Sequence, residues 1–476
     1  SFGTNIPLPY GIGTDGSNLY VSTYNIRNNT NTTKNVEIFS SQTASTNYTN
    51  TNTNITQTNL PMLDTSTNIF LIKFNDVLVY ADIYMQITGA LTENVQRSVV
   101  ASSTNVYLAL TTNSELKVYA TNNTTPKIIS QANGSLLAGI IIKSGTDLIL
   151  TNFYTIASVG TNADVSISEI SVVTNDIYIL GHSSASGLVF KVYNYANPTT
   201  ATETETKTFT PSKTGSYGFI AKYTNSTFQW IAFIGSTTIN PQIETSSLVV
   251  NGTNIFISGT YITSSVVPNN NRNENVGLIT LNNTDTTNAT KDVFTIQYDT
   301  SGNLLSCTHA GSLQDDTASF ITADSTSVYI SGNFKSALNF YDSSGTTFAG
   351  SLPAVTITET QTDVFFAKYN ITTNTNTFAL VKDGNITTPA NYQLSGSSSS
   401  ISTITSSPLK SFYRFTYNTT NPNINTWKVE TYANLNEALN LGPEVCFIGA
   451  SKVKAKEIST GNIGYYNVES IKSDKF

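Results

Sequence analysis

Asp292-Val293-Phe294-Thr295-Ile296-Gln297-Tyr298 and, farther on, Ser327-Val328-Tyr329-Ile330-Ser331-Gly332 decide the fold, because both stretches recur. The first has counterparts in Phe219-Ile220-Ala221-Lys222-Tyr223 and Phe365-Phe366-Ala367-Lys368-Tyr369. The second has counterparts in Asp176-Ile177-Tyr178-Ile179-Leu180-Gly181 and Asn254-Ile255-Phe256-Ile257-Ser258-Gly259. Each reads as a short strand rich in aromatic and β-branched residues and bounded by Gly, Asn, Asp or Ser. Two strands recurring together at a fixed spacing mark a repeat architecture, in which one repeat cannot bury its apolar faces alone.

Working outward, three clear units run from Tyr217 to Gly259, from Asp292 to Phe334 and from Asp363 to about Thr405. A degenerate one runs from Leu136 to Tyr178, and a first from Asn68 to Leu108. Each offers four strands: the Phe-x-x-Lys-Tyr strand, one near Trp230 or Leu304, one near Ser319-Phe320-Ile321, and the Tyr-Ile-Ser-Gly strand. The termini supply half-units. Ile12 to Ser22 matches the second half, and Phe412 to Tyr417 with Thr426 to Tyr432 matches the first. The pattern predicts an all-β protein: a closed β-propeller of six four-stranded antiparallel blades, seven as the alternative, with the last blade closed by strands from both termini. Such closure removes free sheet edges. The propeller is expected over 1-435, with a C-terminal extension over 436-476.

Composition agrees. Of 476 residues, 39% are hydrophobic and only 12% charged, against about 25% charged in average soluble domains. Asn, Thr and Ser fill the polar positions, while 25 Tyr and 23 Phe supply the apolar area of a packed core. A net charge of -7 without a basic stripe argues against nucleic-acid partners. No run approaches the length of a membrane span. Ser1-Phe2-Gly3-Thr4-Asn5 carries no signal-peptide core, which reads as a processed chain or one made without a signal. The inserts Leu188 to Tyr193 and Ala337 to Tyr341 are expected as extra hairpins on one rim. Asn28 to Thr58 reads as a solvated Asn/Thr-rich loop.

Asp292-Val293-Phe294, Tyr298-Asp299, Ser301-Gly302-Asn303, Gly311, Asp316-Thr317-Ala318 and Val328-Tyr329-Ile330-Ser331-Gly332-Asn333-Phe334 resemble the repeat of a seven-bladed-propeller-type family of bacterial and viral surface proteins. The resemblance implies fold, not activity. The chain departs from it in counting six units and in keeping Trp in the family's Trp strand only at 230. Cys446-Phe447-Ile448-Gly449, Thr460-Gly461 and Val468 to Phe476 are similar to the opening block of Hint domains, the self-processing fold of hedgehog proteins and inteins. That resemblance implies Cys446 as a nucleophile toward the carbonyl of Val445. The His such chemistry needs is not found after it, since His182 and His309 both lie upstream, so self-cleavage is not expected.

Sequons stand at Asn28, Asn31, Asn47, Asn54, Asn122, Asn133, Asn225, Asn251, Asn288, Asn370, Asn385 and Asn418, each a candidate glycan site on a surface protein. Asp299 to Asn303 and Asp315-Asp316 offer several oxygens in short loops, as calcium requires, although a hairpin turn accounts for the first. His182 and His309 read as rim residues in separate blades. No cofactor, metal site or catalytic constellation is expected. The leading function is therefore a non-enzymatic structural or adhesive surface protein of a large DNA virus, placed on the virion surface or outside the cell. Its partners would be other structural proteins or surface glycans met through rim loops, in an oligomer or larger assembly. The alternatives are a secreted glycan-active propeller enzyme, marked by carboxylates converging at the channel, and an assembly subunit docking through the basic tail from Lys452 to Lys475.

Overall fold

The computed structural model describes residues 8-25, 36-39, 57-60, 67-75, 80-89, 98-102, 105-112, 115-120, 125-129, 137-143, 148-159, 165-194, 201-211, 215-235, 242-262, 267-268, 281-285, 287, 290-324, 327-341, 348-351, 363-370, 376-381, 400-403, 412-417, 427-432, 452-456 and 463-467. Among them every regular element is a β-strand, and every pairing is antiparallel. The all-β expectation holds.

Five sheets share one plan. In the third, Val165–Val173, Asp176–Ser183, Tyr217–Thr224 and Thr227–Gly235 lie side by side in chain order. The first sheet is built likewise on Leu8–Thr14, Asn18–Asn25, Thr67–Asn75 and Tyr80–Gly89, and the second on Ser98–Ala101, Val106–Thr112, Leu137–Lys143 and Leu150–Ser158. The fourth uses Ile243–Asn251, Asn254–Tyr261, Asp292–Asp299 and Leu304–Gly311. The fifth uses Thr317–Ala323, Ser327–Phe334, Asp363–Asn370 and Asn376–Val381. A further sheet joins Ser400–Thr403, Phe412–Tyr417 and Trp427–Tyr432.

The repeat motif pairs with itself inside one sheet. Gly181 faces Phe219, Gly259 faces Phe294 and Gly332 faces Phe365 across the second and third strands. A Cβ on any of these glycines would fall within 3.0 Å of the Phe ring and of a first-strand carbonyl, Ser166, Glu244 or Thr317 respectively. The glycine is therefore there to let the ring lie flat on the backbone. This pairing sets the sheet boundary, and it corrects the units read from sequence. The Tyr-Ile-Ser-Gly strand joins the Phe-x-x-Lys-Tyr strand that follows it, so each unit is split between two sheets.

It also corrects the expected closure. Asn18–Asn25 pairs with Thr67–Asn75, not with the C-terminal strands, which form their own sheet. No sheet mixing the two termini, and no closed ring, is seen among the described residues. The expected extra hairpins are present, Leu188–Asn194 with Thr202–Phe209 and Asn339–Tyr341 with Phe348–Ser351, whereas the loop expected over 28-58 is corrected, since Val36–Phe39 there pairs with Gln57–Leu60. Each of the two expected hairpins leaves after the second strand and adds to the outer edge of the preceding sheet: Leu188–Asn194 pairs with Leu150–Ser158, and Asn339–Tyr341 with Leu304–Gly311.

Side chains alternate between the two faces of a strand, and both faces are buried. Ile177 and Ile179 enter a core shared with the second sheet, where Tyr107, Tyr154 and Phe190 lie. Tyr178 and Leu180 enter the next core, with Ile255, Phe294 and Tyr298 of the fourth sheet. Two further cores join the first sheet to the second and the fourth to the fifth. The sheets thus stack face to face in chain order. Burying a Phe or Tyr of this kind contributes about 2 to 3 kcal/mol over leaving it exposed. The first strands also pack side by side, Leu8–Thr14 on Ser98–Ala101, then Val165–Val173, Ile243–Asn251 and Thr317–Ala323 in turn.

Candidate functional site

The first strands of the first, third, fourth and fifth sheets carry an irregularity at matching places, between Pro9 and Gly11, Ile167 and Glu169, Thr245 and Ser247, and Ala318 and Phe320. A bulge adds twist and re-aims the next side chain, here toward the neighbouring first strand. Glu169 Oε2 accepts hydrogen bonds from Ser247 Oγ and from the Leu248 N–H, both at 2.7 Å, and Ser247 Oγ in turn accepts from the Ile321 N–H at 3.2 Å. One chain of polar contacts so crosses three consecutive sheets. Beside it, Ser168 Oγ donates to the Thr245 carbonyl at 2.7 Å, and His182 Nδ1 stands 3.5 Å from that hydroxyl. Burial pushes the Glu169 carboxyl up to about 7, while the Ser247 and Leu248 hydrogen bonds pull the other way. No second carboxylate contributes to this shift.

The fourth sheet holds a denser acidic group. Asp292, Asp316 and Asp285 are all buried, with the first two 0% exposed. Asp292 Oδ2 accepts from the Thr284 N–H at 2.6 Å, whereas Oδ1 has no hydrogen-bond partner among the described residues. Gly311 closes the pocket, since a Cβ there would overlap Thr284 Oγ1 and the Asp292 carboxylate. Burial pushes Asp292 up to about 7, helped by the charge of Asp285 and opposed by Thr284. It pushes Asp316 up to about 8, opposed by Ser312 and helped by Asp292. Burial in a sealed pocket disfavours the charged form of both acids, and the charge of Asp292 raises Asp316 further.

The hairpin tips joining first to second strands lie at the same end of each sheet as those joining third to fourth, while the inserts leave from the other end. Short turns with side-chain caps build this tip face. Asp15 Oδ1 accepts from the Ser17 and Asn18 N–H groups and Asp15 Oδ2 from Tyr20 Oη; Asp324 repeats the arrangement with the Ser327 N–H and Tyr329 Oη. Tips also reach across sheets, with Trp230 Nε1 and Lys222 Nζ both donating to the Thr300 carbonyl at 3.2 Å. Lys222 also pairs with Asp176 at 2.7 Å. Burial alone would push Asp176 up, but the bonds from Lys222 and Thr224 outweigh it and hold the carboxyl below the usual range.

Most residues singled out from sequence are dispersed. Asn225 lies in an exposed turn with φ of 48°, open to modification. Asn251 is half-buried, and its Nδ2, the atom a glycan would take, donates to the Asp324 carbonyl. Asn370 ends a strand, opposite Ser327. Asn28, Asn31, Asn47, Asn54, Asn122, Asn133, Asn288, Asn385, Asn418 and Cys446 lie outside the described residues. Lys452–Lys456 and Ile463–Asn467 form a hairpin of their own.

Asp299 is taken up by its own turn, accepting from the Ser301 and Asn303 N–H groups and from Asn303 Nδ2. Asp315 caps the Lys291 N–H. No group of three or more His, Cys, Asp or Glu able to hold a metal occurs among the described residues. His309 is not on a rim: it is 2% exposed and stacks on Tyr341 with ring centres 3.9 Å apart. His182 is half-buried in a different sheet. Glu169 is not among the residues the repeat pattern marks, but it is the one charge inside Val165-Ser166-Ile167-Ser168-Glu169-Ile170-Ser171-Val172-Val173, and a lone charge on an apolar strand is the signal of a carboxyl that needs partners. No helix among the described residues is long and apolar enough to cross a membrane. No protein-family model and no curated protein matches the chain.

Proposed function

We propose that the chain is a closed propeller of six blades, related to the surface-protein repeat family it resembles, acting as a structural or adhesive component of a virion surface. Five sheets stacked in chain order, with their first strands side by side, support the ring. What carries the functional reading is the contrast between interior and surface. The weakly acidic carboxyls of the fourth sheet are sealed, and among the strands whose burial is described Thr202–Phe209, Thr-Glu-Thr-Glu-Thr-Lys-Thr-Phe, is exposed along almost its whole length. Hydroxyls, carboxylates and an ammonium on a rigid strand suit contacts with glycans or neighbouring proteins, while capped tips hold the opposite end of each sheet rigid.

One observation favours the enzyme reading. Glu169 is a half-buried carboxyl on a first strand, raised to about 7, as a glycosidase acid would be. Glycoside hydrolysis also needs a second carboxylate about 5 to 10 Å away, and no such partner contributes at Glu169. The test is a glycan array and a hydrolysis panel on the intact protein. Binding without turnover agrees with the surface reading; turnover abolished by Glu169→Gln would replace it with the enzyme.

A further inference from the structure

The inserts obey a rule. Leu116–Ala120 with Lys127–Ile129, inserted in the second sheet, pairs onto Tyr80–Gly89 of the first. Leu188–Asn194 with Thr202–Phe209, inserted in the third, extends the second. Val267–Pro268, inserted in the fourth, pairs onto Thr227–Gly235 of the third. Asn339–Tyr341 with Phe348–Ser351, inserted in the fifth, extends the fourth. Among the described residues the fifth sheet stops at four strands, and the insert that would extend it is short, the eight residues 404-411 between Ser400–Thr403 and Phe412–Tyr417.

One insert has no preceding sheet in the sequence. Val36–Phe39 and Gln57–Leu60 form a hairpin between the second and third strands of the first sheet. In a ring, the sheet preceding the first is the last, whose outermost strand is Trp427–Tyr432. We propose that the 36-60 hairpin is the clasp of the ring, with Val36–Phe39 adding antiparallel to Trp427–Tyr432. The inference rests on the closed-ring reading and deepens it.

Register follows from the precedents. The end of the fourth strand meets the start of the added one, as Ser158 meets Leu188, Gly235 meets Val267 and Gly311 meets Asn339. Val36 therefore lies near Tyr432. The tether allows it, because the six residues 61-66 leading to Thr67 span at most about 20 Å, which reaches a neighbouring blade. The clasp replaces the mixed-terminus blade as the device that ties the N-terminal region to the C-terminal one, and it covers a sheet edge that would otherwise invite another chain.

The test uses the full chain with Cys446→Ser, leaving the buried Cys307 in place. Val36→Cys is combined in turn with Glu430→Cys, Thr431→Cys and Tyr432→Cys, oxidised and mapped by peptide mass. An intramolecular 36-to-430-432 cross-link is expected. Replacing 34-62 by a Gly/Ser linker is expected to raise amide exchange at 427-432 at least tenfold, with 227-235 unchanged. A cross-link only between two molecules, or unchanged exchange at 427-432 with no cross-link, overturns the clasp. Small-angle scattering separates the two levels: a closed disc without the cross-link overturns the clasp alone, and an open arc overturns the ring as well.

Discussion

The buried acids of the fourth sheet give the sharpest test, through Asp292→Asn. Asp292 rises from its ordinary 3.8 to about 7 in the folded chain. Its folded value lies above its unfolded one, so the stability linked to it is fully present below pH 3.8 and is lost as pH rises toward 7. In that window the unfolded chain has released a proton that the folded chain still holds. A shift of about 3 units corresponds to about 4 kcal/mol at 1.36 kcal/mol per unit. Asparagine removes this loss while its carbonyl can still accept from the Thr284 N–H. It also takes away the charge that raises Asp316.

Urea denaturation midpoints between pH 4 and pH 8.5, at constant slope, measure the effect. Wild type and variant are expected to agree within about 1 kcal/mol at pH 4, and the variant to be about 2 to 4 kcal/mol the more stable at pH 8. The carboxyls of Asp15, Asp176 and Glu203 are held below the usual range and pull the opposite way at lower pH, so the difference between the two proteins is the quantity to read. A variant less stable than wild type at pH 8 would refute the argument, because it would show that the Asp292 charge is wanted.

Glu169→Ala, which strands the Leu248 N–H and Ser247 Oγ between first strands, is expected to cost about 2 kcal/mol by chemical denaturation. Glu169→Gln, which keeps an acceptor, should stay within about 1 kcal/mol of wild type at pH 4 and exceed it by about 2 to 3 kcal/mol above pH 7, since the wild-type carboxyl sheds stability as pH rises from 4.5 to about 7. Gly259→Ala, driven against Phe294 and the Glu244 carbonyl, is expected to lose about 3 kcal/mol, against about 1 kcal/mol for Gly252→Ala, which faces open space at a φ of 60°; equal thermal shifts would sink the account of the motif glycine. Expressed in a glycosylating host, the chain is expected to carry a glycan at Asn225 and none at Asn251, read by site-mapped mass spectrometry.

Strand content, the repeat and the face-to-face core were legible in the sequence, because they rest on local chemistry. Aromatic and β-branched residues alternate, turns carry Gly, Asn and Asp, and a motif such as Ser327 to Gly332 reads as a strand on its own. Partnership was not legible. Whether Gly259 pairs forward to Phe294 or stays with the strands before it depends on a ring lying over a bare Cα, a contact visible only once both strands are placed. The same holds for Asp292 and Asp316, 24 residues apart in the chain, whose shared pocket arises from a strand start, a loop and Gly311 meeting in three dimensions. Sequence by itself determined the recurring strands, though not Val36–Phe39 and Gln57–Leu60 in the Asn/Thr-rich stretch read as a loop, since backbone propensity and side-chain period act over a few residues. Only the tertiary structure decided which strands share a sheet, where each insert docks and which carboxyls lose their water, since these depend on burial between segments that the chain order leaves far apart.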